Sequence, residues 1–420
     1  MAKFSFRITV LSIGIWVLLL YVTRSTIEAV ENSIYITGVN FGSPLVIADP
    51  ATGSDLWVST WLNSAAGGDL LTVFGDGTGF VDPAKPRLSM GLAKIGGSPP
   101  TIKGINFTTN AEFKGDGRTG KKASGIVAVG STVYMFVRNA NLDGTQCQFA
   151  YSTDNGKNWT FGFIFEELGY CSLVNYGQAY LGARDGYLYM FSPNTNDAYR
   201  ETDDLVLARV SMTNPGNESS WQFFAGKDAS GNPLWGSIAQ RKSVLNDPGG
   251  INRHDVTYNS VLGRYLMTMR SSAQNGGQNQ FSLYEAPEPW GEWRRFYKTT
   301  AASSWGESQH IPSKWISGDG KTIYIVHSGN DKYNVLPVTL NVVNGTFSPT
   351  PAPKATNTVT PTTTVNGDAN GDGSVNELDY AIWKTNYDTT ATGGVTKGDF
   401  NLNGKVDGVD YLIWIQSHSG

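Results

Sequence analysis

Oxygen-bearing side chains recur at one spacing in two twelve-residue stretches near the C-terminus. Asp368, Asn370, Asp372, Asn376 and Asp379 hold positions 1, 3, 5, 9 and 12 of the first stretch. Asp399, Asn401, Asn403, Asp407 and Asp410 hold the same positions of the second, 31 residues later. Gly373 and Gly404 stand at position 6, where an EF-hand loop turns sharply, and Ser374 and Lys405 offer backbone carbonyls at position 7. Such a loop wraps a hard cation in about six or seven oxygens, so the chemistry is calcium binding, with one Ca2+ expected per loop. Each loop runs into the same pattern, Asp-Tyr-x-Ile-Trp, at Asp379–Trp383 and Asp410–Trp414, which reads as a helix start.

A second kind of chemistry needs two carboxylates. Asp55 opens the aromatic stretch that holds Trp57 and Trp61, and Asp76 ends the apolar run Leu70–Gly75. A carboxylate ending such a run is costly to bury unless it is paired, hydrogen-bonded or functional. Two carboxylates across a sugar cleft are what glycoside hydrolysis requires, one as acid and the other as base or nucleophile. Asp76, followed by Gly77, also reads as a plain turn residue, and both readings stand. Trp57 and Trp61 are candidates to stack on sugar faces. Arg184, Asp185, His254 and His310 are candidates to hold hydroxyls or to shift a carboxylate pKa; the alternative for each is structural hydrogen bonding. No Ser-His-Asp arrangement, phosphate loop or zinc spacing is visible, and four histidines are too few for a His-rich metal site.

These residues must be positioned by strands. Glycine and aromatic richness, with 49 Gly, 12 Trp and 19 Tyr, suits short strands joined by tight turns. Between residues 33 and 344, apolar runs such as Val133–Val137, Tyr187–Phe191, Arg264–Met269 and Thr322–Val326 recur in five units, with no convincing helical period. Three or four strands about every 60 residues predict a five-bladed β-propeller, with a β-sandwich as the alternative. Ser152-Thr-Asp154-Asn-Gly156-Lys-Asn-Trp159 forms a tight hairpin turn over a packed Trp. It resembles the Asp-box of sialidase-type propellers, which lies on the outer rim, so Asp154 is read as structural.

The ends of the chain describe its setting. Lys3 and Arg7 precede an apolar run from Ile8 to Val22, and Ala29 offers a cleavage point. Residues 1–29 thus read as a signal peptide or an uncleaved membrane anchor, and place the body outside the cytoplasm or on the cell surface. That setting permits a disulfide between Cys147 and Cys171, two free thiols being the alternative. Residues 345–366 are Thr- and Pro-rich and read as an extended linker. The net charge of −4 is concentrated after residue 367, where eight acids face three lysines. No basic face remains to attract nucleic acid.

Residues 367–420 resemble a dockerin, with Asp rather than Glu at position 12 of both loops. The resemblance implies a cohesin-type or cell-surface partner. Positions 10 and 11 are Glu377-Leu378 and Gly408-Val409, where dockerins usually carry Ser/Thr-type recognition residues; packing against its own chain is the alternative role. Asp55 with Trp57 and Trp61, Phe74-Gly75-Asp76, Gly182-Ala-Arg184-Asp185-Gly-Tyr187, Glu285-Ala-Pro-Glu288-Pro-Trp290-Gly291 and Ile311-Pro-Ser-Lys-Trp315 resemble a propeller family long described as a domain of unknown function. Some of its members are endo-D-arabinanases. The resemblance implies a polysaccharide hydrolase whose catalytic Asp pair falls on Asp55 and Asp76. A non-catalytic carbohydrate-binding propeller and a surface adhesion protein are the rival readings.

Overall fold

The computed structural model describes residues 30–45, 47, 53–80, 86–272, 279–299, 305–343, 367–370, 375–390, 394–401 and 404–418. The expected export segment and linker, and the loop residues Asp372, Ser374 and Asn403, lie outside them.

Five antiparallel sheets follow one another along the chain and make a five-bladed β-propeller. Blade 1 runs through Asp55–Trp61, Leu70–Gly75, Gly91–Ser98 and Thr101–Phe107. Blade 2 is Lys122–Val129, Thr132–Arg138, Cys147–Ser152 and Thr160–Phe165. Blade 3 begins with Ser172–Leu173, Tyr187–Pro193 and Thr202–Ser211 and carries three further strands. Blade 4 is Arg253–Asn259, Arg264–Ser272, Asn279–Ala286 and Arg294–Lys298. Blade 5 is built from Gln309–His310, Thr322–His327 and Asn334–Val342, and its outermost strand is Ile36–Phe41 from the start of the domain. The N-terminal strand thus closes the ring, a role its sequence does not announce. Ser313–Trp315, between the first two strands of blade 5, is a 3-10 turn.

The blades pack through apolar faces. Phe136, Phe149 and Phe165 of blade 2 meet Trp221 and Phe223 of blade 3, and Trp57 and Phe74 of blade 1 meet Tyr333 and Val335 of blade 5. Around the axis, the inner strands are sutured by hydrogen bonds. Ala128 N–H donates to Thr60 Oγ1, Ser124 Oγ to Cys171 O, Asn175 N–H to Val256 O, Thr257 Oγ1 to Ile311 O, and Ser308 Oγ to Leu56 O. The circuit passes through all five blades, so buried polar groups in the middle of the ring find partners. Cys147 and Cys171 form a disulfide that joins blade 2 to the start of blade 3.

The C-terminal module has two helices, α1 (Glu377–Asn386) and α2 (Gly408–Ser417). Each begins with a capping box, Asn376 with Asp379 and Asp407 with Asp410. No helix of the described residues is long and apolar enough to cross a membrane.

Candidate active site

Strand register gathers the polar residues at one end of the barrel. In an antiparallel pair, the start of the first strand lies beside the end of the second. Asp55 pairs with Gly75, Lys122 with Arg138, and Arg253 with Arg270. Asp76 follows Gly75, and Glu307 precedes the inner strand of blade 5, so all of these belong to the same end of the funnel.

Asp55 and Asp76 are brought together there, and two glycines make the room. A Cβ on Gly75 would stand 2.6 Å from Asp55 Oδ1, and one on Gly77 would stand 2.0 Å from the Gly53 carbonyl and from Ser54 Oγ. The backbone is strained at this spot. Asp76 has φ +45°, and at a register shift between Leu56 and Val58 the residues Leu56 and Trp57 have φ +75° and +66°. Such conformations cost about 1–3 kcal/mol each and cluster where a side chain must be aimed.

The two carboxyls have different surroundings. Asp55 is buried, and burial pushes its pKa up to about 6, helped by the negative charges of Glu307 and Asp76 and opposed by Arg138 and Arg253. Burial also raises Asp76, but Lys122 opposes that shift with a charge-assisted hydrogen bond of 2.5 Å from its Nζ to Asp76 Oδ1. Gly117 N–H donates to Asp76 Oδ2 at 3.2 Å, and Arg87 donates to the Asp76 carbonyl. Asp76 thus has two donors on its carboxyl, while Asp55, with none on Oδ1, keeps its proton up to about pH 6.

Around them stand residues the sequence reading passed over. Arg253 pairs with Glu307. The Glu307 carboxyl, which burial alone would raise, is held down to about 2 by the Arg253 charge and hydrogen bond and by Arg138. Burial lowers Arg270 to about 10, with Arg253 adding to the effect. Arg138 lies over the rings of Tyr170 and Tyr199, at 5.8 and 5.0 Å from their centroids. The signal that pointed to Asp76, a charge ending an apolar run, is equally present at Arg138 after Val133–Val137.

The other predicted site residues are placed elsewhere. Trp57 is wholly buried between blades 1 and 5 against Phe74, Phe80 and Tyr333. Trp61 ends its strand at the far end and donates its indole N–H to Gly68 O. Arg184 and Asp185 lie in the connection between the first two strands of blade 3, also at the far end. There Arg184 makes a bidentate pair with Glu288, and Asp185 accepts from Tyr189 Oη at 2.7 Å. His254 is buried beside the rings of Tyr170 and Phe191, with Nδ1 3.0 Å from Asn252 O.

His310 forms a triad that the sequence analysis did not see. Its Nε2 lies 2.6 Å from Ser59 Oγ and its Nδ1 2.7 Å from Asp255 Oδ2, joining blades 1, 5 and 4. All three side chains are closed off from solvent, so the arrangement braces the inner strands rather than presenting a nucleophile.

With this geometry in hand, the kinship of the chain can be stated. Residues 116–339 match the model of the family described as Domain of unknown function (DUF4185). The chain belongs to that family. The DUF4185 match begins after blade 1, so Asp55 and Asp76 stand outside it. No curated protein matches the chain. Among solved structures, it is similar to an α-L-arabinanase from Penicillium chrysogenum complexed with arabinobiose, at 10% identity over 72% of this chain and 100% of that one, TM-score 0.41. It is similar to an α-L-arabinofuranosidase from Podospora anserina in complex with cellotriose, at 11% identity over 73% and 98%, TM-score 0.40. At that distance neither bears on the chemistry of this DUF4185 propeller.

Residues 366–417 match the dockerin type I domain. In it, the position-12 carboxylates of both loops are buried and take the same backbone donors. Asp379 accepts from the amides of Ala369, Asn370 and Asn376, and Asp410 from those of Phe400, Asn401 and Asp407. Asp368 and Asp399, at position 1, are buried as well. Two buried carboxylates in each loop fit a divalent cation, whose charge would offset theirs. The loops are also cross-linked: the Trp383 indole donates to Asp407 O of the second loop, and Trp414 to Asn376 O of the first.

Proposed function

We propose that the propeller is an exported glycoside hydrolase acting on a polysaccharide, with Asp55 as general acid and Asp76 as general base or nucleophile. The observation that carries this reading is the contrast between the two carboxyls: one is buried with its pKa near 6, the other paired with Lys122. Asp55 would give its proton to the glycosidic oxygen as the C–O bond breaks. Asp76 would either take a proton from the attacking water or add to the anomeric carbon itself. The family resemblance makes an arabinan-type polysaccharide the first substrate to try. The C-terminal module would hold two Ca2+ ions, one through Asp368, Asn370, Asn376 and Asp379 and one through Asp399, Asn401, Asp407 and Asp410, with Asp372, Ser374, Asn403 and Lys405 completing the loops. It would tether the enzyme to a cohesin-type or cell-surface partner.

The test is a screen of the purified chain on arabinans, arabinogalactan and other glycans, reading new reducing ends. Asp55→Asn and Asp76→Asn should each abolish release from the active substrate. Release that survives both substitutions removes the acid pair, and binding without release would make this a carbohydrate-binding propeller.

A further inference from the structure

We propose that the floor of the funnel is a small-anion site in which the Arg138 guanidinium holds a halide, with chloride as the natural ligand. Arg138 is wholly buried, yet its Nε, Nη1 and Nη2 make no hydrogen bond within the protein. Buried guanidinium groups are otherwise paired. The rings of Tyr170 and Tyr199 cover it, and rings answer the charge without accepting the in-plane N–H donors. Arg253, from blade 4, is buried beside it with an unpartnered Nε, and its positive charge is felt at Arg138.

The protein's own acids do not fill the need. Glu307 is engaged by Arg253, and Asp55 Oδ1 makes no hydrogen bond to any group. The in-plane donors of Arg138 are therefore left for an anion from outside the chain. Arg138 is closed to solvent, so its ligand must fit wholly inside, which favours a halide over the carboxylate of an acidic sugar carrying its ring. An anion there lies in the electrostatic neighbourhood of Asp55 and opposes loss of the Asp55 proton. Halide binding itself does not depend on the hydrolase reading.

The experiment uses the full chain with calcium present, in methanesulfonate buffer at constant ionic strength, with chloride or bromide exchanged in. Each tenfold rise in halide above its dissociation constant should multiply the folded-to-unfolded ratio about tenfold, seen as a rising melting temperature. Arg138→Gln should abolish that dependence. Bromide diffraction from wild-type crystals should place an anomalous peak against Arg138, which decides the matter even if the variant does not fold. A halide-independent melting temperature, a dependence retained by Arg138→Gln, or bromide at surface positions only (an adventitious ion only) would overturn the site. A shift with acetate or glucuronate but not with halide would overturn the halide assignment. Hydrolysis that persists without any halide effect refutes only this site, and halide binding without hydrolysis refutes only the enzyme.

Discussion

Lys122 of blade 2 and Asp76 of blade 1 meet across the blade boundary, Nζ to Oδ1 at 2.5 Å, with the lysine almost wholly buried. The pair opposes the upward shift that burial gives the Asp76 carboxyl. Lys122→Met should therefore lower kcat/KM on the active glycan about a hundredfold and, by leaving the half-buried Asp76 carboxyl without its cation, cost about 1–3 kcal/mol of stability. In Lys122→Met/Asp76→Asn, urea unfolding should recover part of the stability, while hydrolysis stays absent. Equal stability of the single and double variants would show that the pair is not coupled.

Asp55 gives a pH dependence of definite sign. Its folded pKa is about 6, against about 3.9 for an unfolded aspartate. Between those values only the folded state holds the proton, so stability falls as pH rises from about 4 to about 6, by about 3 kcal/mol in all, and is level beyond. Subtracting the Asp55→Asn profile from wild type should isolate that slope, and the variant should be the more stable protein at pH 7. With Asp55 as acid, kcat/KM should decline as pH rises through about 6.

Gly75 and Gly77 should resist substitution for steric reasons. Gly75→Ala puts a methyl group 2.6 Å from Asp55 Oδ1, so it should reduce kcat about tenfold or more while costing about 1–3 kcal/mol of stability. Kinetics and thermal unfolding on one preparation would separate the two effects; unchanged kinetics would show that the Asp55 carboxyl tolerates displacement.

The disulfide couples folding to the funnel, because Cys147 pairs in register with Arg138 and Cys171 adjoins Tyr170. Cys147→Ser/Cys171→Ser should lose about 3 kcal/mol, read as a lower urea midpoint at unchanged slope. Reductant should reproduce the effect in wild type and do nothing to the variant.

In the dockerin module, the crossed indoles predict a crossed phenotype. Trp414→Phe removes a donor to Asn376 O, so it should weaken calcium at the first loop by about tenfold while the second is spared, and Trp383→Phe should do the reverse. Calorimetric calcium titration of Asp368→Ala and Asp399→Ala backgrounds would assign each site. Chelation should abolish the helical signal of α1 and α2 but leave the propeller's β signal.

The architecture was readable because short apolar runs with turn residues between them carry the blade pattern locally; Tyr187–Phe191 and Leu205–Val210 pair as expected. Gly91–Ser98, rich in glycine, and Ile36–Phe41, remote from its partner, carry no such signal. The acid pair lies within one blade, so its two members were close enough in sequence to be noticed. Arg138, Arg253 and Glu307 come from three blades, and nothing in linear spacing says that they converge. At Arg184 and His254, a polar residue near a strand start does not reveal which end of the funnel, or which side of the strand, it occupies.

Ile36–Phe41 finds its partner, Asn334–Val342, only at the other end of the domain. A chain made from its N-terminus emits this strand first and must keep its hydrogen-bonding edge unsatisfied until some 300 residues more have appeared, as the 304-residue separation of the Thr37–Asn341 bond shows. Four blades can assemble in that interval, but the circle cannot shut. The vulnerable species in biosynthesis is therefore a horseshoe with one unpaired strand and two uncovered apolar faces, ready to associate with a neighbouring copy. Delivering the chain across a membrane before it closes would postpone that hazard to the far side, where the disulfide can form as the blades come together.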